Sequence, residues 1–281
     1  MTETTVFDTH VHLVDDPGWV TGERLRPLQR RFTAADFSAA TAGTAVAGFV
    51  AVPAVPTVEE TWRLLRLAAG HPSLARVVGW VDLTAPDVVE TISDLQSGPG
   101  GDRLRGIRHP VRREPELEWL TRVDVRRGLH ALAERGLLFE LLVLPGQIPS
   151  AAAVAKEFPH LSLVLDHGAT PSLEDGPFDG WEEDIRALAA HRNVTCKISG
   201  PLVHVDPRTT PDENIARCVE VLADAFGSDR LMFGSNYPFC LLTGTYSDAA
   251  SRAEALLDSL TELERDQIFA RTARSVYGRH V

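Results

Sequence analysis

The sequence predicts an α/β fold, a (β/α)8 TIM-type barrel, on three observations. Eight short β-rich apolar runs recur at a spacing of roughly 25–40 residues, as eight barrel strands require. Segments with apolar residues at i, i+3 and i+4 lie between them and often stop near glycine, a common helix terminator. No glycine-rich turn follows the first run, where the competing doubly wound open sheet would carry one.

The first run, TVFDTHVHL (5–13), places two histidines two apart. Period-2 alternation puts Asp8, His10 and His12 on one face, with Phe7, Val11 and Leu13 filling the others. VAGFVAVPAV (46–55), VVGWVDL (77–83) and LRGIRHPV (104–111) follow, then LLFELLVLP (137–145) and LSLVLDHGA (161–169). NVTCKISG (193–200) and RLMFGSNYP (230–238) complete the set. VEETWRLLRLAAG, VRRGLHALAERG and AAAVAKEF read as intervening helices, and Thr261 with Glu264 reads as a capping box opening the last one. SGPGGD (97–102) and TPSLEDGPFDGW (170–181) read as loops. One barrel uses nearly all of a 281-residue chain, so a single domain over 1–281 is expected.

A net charge of −11 argues against nonspecific nucleic-acid binding, which needs a basic footprint. Cys196, Cys218 and Cys240 have no CxxC spacing and suggest neither a disulfide framework nor a zinc ribbon. MTETTVFD lacks a basic region leading into an apolar one, and no run reaches membrane-spanning length. A cytoplasmic enzyme with a small-molecule substrate is expected, with neither nucleic acid nor membrane as partner. A homo-oligomer through the outer helices fits the fold class, although no long apolar stripe argues for one.

Barrel chemistry sits at the C-terminal ends of the strands. Those ends carry His10, His12, Arg108, His109, Glu140, His167, Lys197 and Asn236. Two inward imidazoles need partners, which favours a functional His10–His12 pair over simple packing. Glu140 and Lys197 read either as substrate contacts or as a buried ion pair, and Asp166 as an orienting neighbour of a histidine. Trp19 and Trp181 are candidates for loop-borne pocket walls.

DTHVHL, GIRHPV, FELLV, LVLDHGA, CKISG and RLMFGSNYPFCLL, in this order from residue 6, resemble the amidohydrolase superfamily. The resemblance is to the branch holding sugar lactonases of the fuconolactonase and rhamnonolactonase types and 2-pyrone-4,6-dicarboxylate lactonase, and covers nearly the whole chain. It implies a barrel that opens lactones by hydrolysis. By motif, His10 and His12 fall on the branch's HxH and His167 on its strand-six histidine. Asn236 falls where the branch usually has an aspartate, and GSNYP, with Tyr237 beside it, replaces a GSDWP-like motif. An amide orients water but cannot act as a base. Another base in a natural variant, a reaction that needs no water, or an engineered residue would each account for it, and a natural variant is favoured over engineering.

The resemblance leaves the metal open. His10, His12, Glu140 and His167 would supply a zinc or manganese ligand set, and the lactonase branch weighs toward no metal. Arg108, in RHPVRRE, is the first choice for an anionic substrate group, with His109, Glu140, Lys197, Trp19 and Tyr237 as further substrate contacts. The expected reaction is hydrolysis of a lactone or activated cyclic ester. Water would be held by His10, His12 and Asn236, Arg108 would polarise the carbonyl, and His167 or a metal hydroxide would serve as base. The alternatives are a non-hydrolytic decarboxylase- or cyclase-like enzyme and an inactive ligand-binding barrel.

Overall fold

All eight apolar runs contribute strands, and the strands pair in sequence order as one parallel sheet. In a computed structural model that describes residues 5–174, 180–199 and 210–278, they are β1 (Val6–Val11), β2 (Val46–Ala51), β3 (Leu74–Gly79) and β4 (Leu104–His109). β5 (Leu138–Leu141), β6 (Leu163–Leu165), β7 (Val194–Lys197) and β8 (Leu231–Met232) follow. Part of the loop read at 170–181, residues 175–179, and the last residue of the seventh run, 200, lie outside the described residues. Thr9 N–H donates to the Phe233 carbonyl and His12 N–H to that of Tyr237, so β1 meets the segment after β8 and closes the barrel.

Phe7, Val50, Val78, Leu138, Val164 and Met232, one from each of six strands, pack together in a cluster of their own. β4 supplies Gly106 at this level, in register with Val78 and Leu138. A Cβ on Gly106 would lie 2.4 Å from the Leu138 side chain, so the glycine makes room for a large neighbour. The larger apolar cluster holds the inward stripes of the helices, including Leu64 and Leu65 of the Val58–Gly70 helix and Leu129 and Leu132 of the Val123–Glu134 helix.

The Thr261–Glu264 capping box is present. The helix it opens is interrupted by a π segment at Gln267–Arg271 before continuing as Thr272–Tyr277. Ala273 and Tyr277 of that last turn join the Phe7 cluster. Among the described residues, no helix is long and apolar enough to cross a membrane.

Candidate active site

The alternation read along the first strand breaks where it matters. Phe7 joins the six-strand cluster, and the β1–β2 register shifts between Asp8 and Val11. Asp8 consequently does not share the surroundings of the histidines. Its carboxylate accepts from the backbone N–H groups of His10 (3.0 Å) and Ser235 (2.9 Å) and from the Tyr246 hydroxyl (3.1 Å), bracing β1 against the segment after β8. That segment comes close, since a Cβ on Gly234 would lie 2.9 Å from His10 Cβ.

His10 is fully buried at the centre of a polar cluster. Its Nε2 lies 3.2 Å from His12 Nε2 and 3.2 Å from Arg108 Nη1, and its Nδ1 lies 3.3 Å from Lys197 Nζ and 3.5 Å from Asp166 Oδ1. His12 sets the direction of the protons. Its Nδ1 is 2.8 Å from the Val52 carbonyl, which can only accept, so Nδ1 carries the hydrogen and Nε2 presents a lone pair. His10 then donates from Nε2 to His12, and its Nδ1 accepts from Lys197. Burial first, then Lys197, pushes the His10 imidazole down to about 3. Burial, then His10 and Arg108, holds His12 well below the ordinary histidine value. Both rings are neutral at physiological pH.

Lys197 is ion-paired with Glu140 Oε1 at 2.7 Å and Asp166 Oδ1 at 3.1 Å, and its Nζ lies 3.3 Å from His10 Nδ1. Glu140 also accepts from the Tyr277 hydroxyl at 2.6 Å, which carries the network from the chemistry end of the barrel to the terminal helix. Burial alone would raise the Asp166 carboxyl, but Lys197 beside it holds it well below the usual range.

Above this network lies a cavity that, counted with the solvent at its open mouth, encloses roughly 720 Å³. His12, His167, Asn236 and Arg108 bring polar groups to it, and Trp19, Trp80 and Phe239 are among its walls. Arg108 donates to Asp166 Oδ2 (3.3 Å) and the Pro53 carbonyl (2.7 Å). His167 and Asn236 both have positive φ, 56° and 53°, a conformation uncommon outside glycine and concentrated at functional positions. His167 Nδ1 sits 2.6 Å from Ser199 Oγ.

The structure thus gathers His12, Trp19, Arg108, His167 and Asn236 at one cavity and places the other candidates elsewhere. His10, Glu140 and Lys197 lie beneath it, because their strand positions fall below the rim and their polar atoms are engaged with one another and with Tyr277. His109 is stacked on Trp119 at 4.2 Å and bonded through Nε2 to Glu114 at 2.7 Å. Tyr237 is buried against Phe32 and Phe37, with ring centroids 5.7 and 5.1 Å away. Trp181 is buried behind the strand-six turn, donating to the Gly168 carbonyl. Trp80, Arg112, Arg113 and Phe239 line the cavity without having been singled out. Only the arginines carried a signal, in RHPVRRE.

The set His10, His12, Glu140 and His167 is not the group that converges. His10, Asp166 and His167 each bring a donor atom within 4.8 Å of the others, a spacing that could hold a metal ion. Glu140 is engaged through its Oε1 by Lys197 and Tyr277.

The amidohydrolase family model matches residues 7–279, and the chain belongs to the amidohydrolase family. It is similar to an L-fucono-1,5-lactonase of Burkholderia multivorans, 34% identical over 83% of this chain and 81% of that protein. An L-fucono-1,5-lactonase of Burkholderia ambifaria is 32% identical over 86% and 83% of the respective chains. Among solved structures, an amidohydrolase from Burkholderia multivorans with bound zinc superposes with a TM-score of 0.88 at 31% identity, covering 97% of this chain and 99% of that one.

Proposed function

We propose that this chain hydrolyses a lactone to the open hydroxy acid. The observation that carries the reading is the meeting of His12, His167, Asn236 and Arg108 at one cavity over a buried, charge-paired network. The lactonase names of the relatives supply the substrate class.

In the mechanism, the substrate carbonyl faces Arg108, whose N–H groups stabilise the oxyanion as water adds. Asn236 orients the water at the cavity, with the His12 ring beside it. With Nδ1–H donating to Ser199, His167 offers Nε2 as the base, takes the proton from the water and returns it to the ring oxygen as the C–O bond breaks. One water is consumed and one hydroxy acid formed. His10 stays neutral below and engages the Nε2 of His12, whose tautomer the Val52 carbonyl holds.

The zinc in the Burkholderia multivorans structure raises the question of a metal here. The donor spacing of His10, Asp166 and His167 is within reach of an ion, but the charge of the donor set does not fit one. Asp166 already lies 3.1 Å from Lys197 and 3.3 Å from Arg108, so its charge is spent on fixed cations. Arg108 and Lys197 balance Asp166 and Glu140, and a divalent ion would add uncompensated charge to a buried cluster. The steps above use this chain's own residues and need no resident metal.

The test is His167→Ala. Its kcat on a turned-over lactone is expected to fall by about 10²–10⁴-fold, the range for loss of a general base. Turnover within threefold of wild type would remove His167 from the chemistry.

A further inference from the structure

Three arginines line the cavity, and no aspartate or glutamate does among the described residues. This local excess of positive charge sits in a chain whose net charge is −11. Arg108 is not available to a ligand's charge in full, since its donors serve Asp166 and the Pro53 carbonyl. Arg112 differs. Its guanidinium is partly buried, yet it makes no hydrogen bond or ion pair with any side chain or carbonyl among the described residues. Burial, then Arg108 and Arg113, lowers its affinity for its proton, as expected of a cation withdrawn from water beside like charges. A cation held this way costs stability unless an anion arrives to meet it.

The backbone that carries it is fixed in advance. Arg112 N–H donates to the Leu142 carbonyl at 2.9 Å, and the Gln147 amide donates to the Val111 carbonyl at 2.9 Å. Glu114, the nearest acid in sequence, is held by His109, which is itself stacked on Trp119. The turn is pinned so that its acid is engaged away from the arginines and its cation lies at the cavity. Such preorganisation lowers the cost of binding.

We propose that Arg112, assisted by Arg113, receives a carboxylate carried by the substrate. The substrate is then the lactone of a hydroxy dicarboxylic acid and not a neutral sugar lactone. The planar guanidinium fork matches a carboxylate in two parallel bonds. The assignment rests on the lactone reading for the rest of the substrate, but the carboxylate site itself does not require turnover.

The experiment compares kcat/KM for D-glucaro-1,4-lactone with that for D-glucono-1,4-lactone, which carries a hydroxymethyl group in place of the carboxylate. Wild type is expected to favour the carboxylate-bearing lactone by about tenfold or more, and Arg112→Met to lower that ratio by about 30-fold through KM, with Arg112→Lys retaining part of it. A wild-type preference for the neutral lactone, or a ratio unchanged in Arg112→Met, overturns the proposal. Using the ratio removes any general effect of the substitution on folding. If wild type turns over neither lactone, the hydrolysis reading fails separately, and the carboxylate site is read from glutarate binding through the fluorescence of Trp19 and Trp80. Saturable binding weakened about tenfold or more in Arg112→Met upholds it; no binding, or equal affinity in both proteins, overturns it.

Discussion

Lys197 reaches His10 with its ammonium 3.3 Å from Nδ1, a contact that agrees with a central imidazole carrying its proton on Nε2, toward His12. The same ammonium pairs with Glu140 and, together with Arg108, with Asp166. Catalytic geometry and barrel stability therefore depend on one buried charge.

Removing that charge leaves Glu140 without its cation and Asp166 with Arg108 alone. Lys197→Met is expected to destabilise the protein by about 3–5 kcal/mol, as breaking a buried ion pair does. Adding Glu140→Gln should recover part of the loss, since the surviving group at that position is neutral and still accepts from Tyr277. Urea unfolding of the two variants against wild type measures both values. A loss below about 1 kcal/mol in Lys197→Met would show that water, not Lys197, solvates these groups.

Asn236 stands where a carboxylate would serve as base. With His167 in that role, Asn236→Asp gains no necessary function and places a new negative charge near the developing oxyanion. Turnover of any accepted lactone is expected to stay at or below wild type. Steady-state kinetics decides the point, and a rise of about a hundredfold would show that wild type lacks its base, given what one base contributes.

Acid sensitivity follows from the two neutral histidines. His10 is pushed down to about 3 and His12 well below 6.5, in both cases by burial first. In the unfolded chain each titrates near 6.5, so below that pH the unfolded state binds more protons. The stability they contribute is present above pH 6.5 and lost as the pH falls toward their folded values, at about 1.4 kcal/mol per pH unit for each. Glu140 and Asp8, raised by burial, act in the opposite sense: their contribution is present at low pH and lost as the pH rises through their folded values. A variant isolates one histidine. Between pH 6.5 and 5, denaturant titrations of His12→Asn should show a stability slope shallower than wild type by about one proton. Equal slopes would mean that His12 protonates in the folded protein.

Much of this was legible in the sequence. Strand count and order followed from apolar runs and their spacing, because burying eight strands between helices demands them. His12, His167, Arg108 and Asn236 were legible because barrel chemistry collects at strand ends. Depth along a strand was not. Glu140 and Lys197 look like rim residues by position, but long side chains that satisfy each other stay below the cavity. The Asp8–Val11 register shift was hidden too, since alternation counts residues and cannot see a bulge. Arg108 looked like the anion receptor because it is nearest the strand end. Only the folded structure shows that Asp166 and Pro53 take part of its donor set and that Arg112, four residues on, has no such partner among the described residues.

The most direct measurement is proton release from a panel of sugar lactones by protein dialysed against chelator, with metal content determined on the same sample by mass spectrometry. The predicted result is lactone hydrolysis at the undialysed rate with far less than one metal ion per chain. Absence of hydrolysis on every lactone, or activity that returns only when zinc or manganese is restored in proportion to the metal bound, would contradict a metal-free lactone hydrolase.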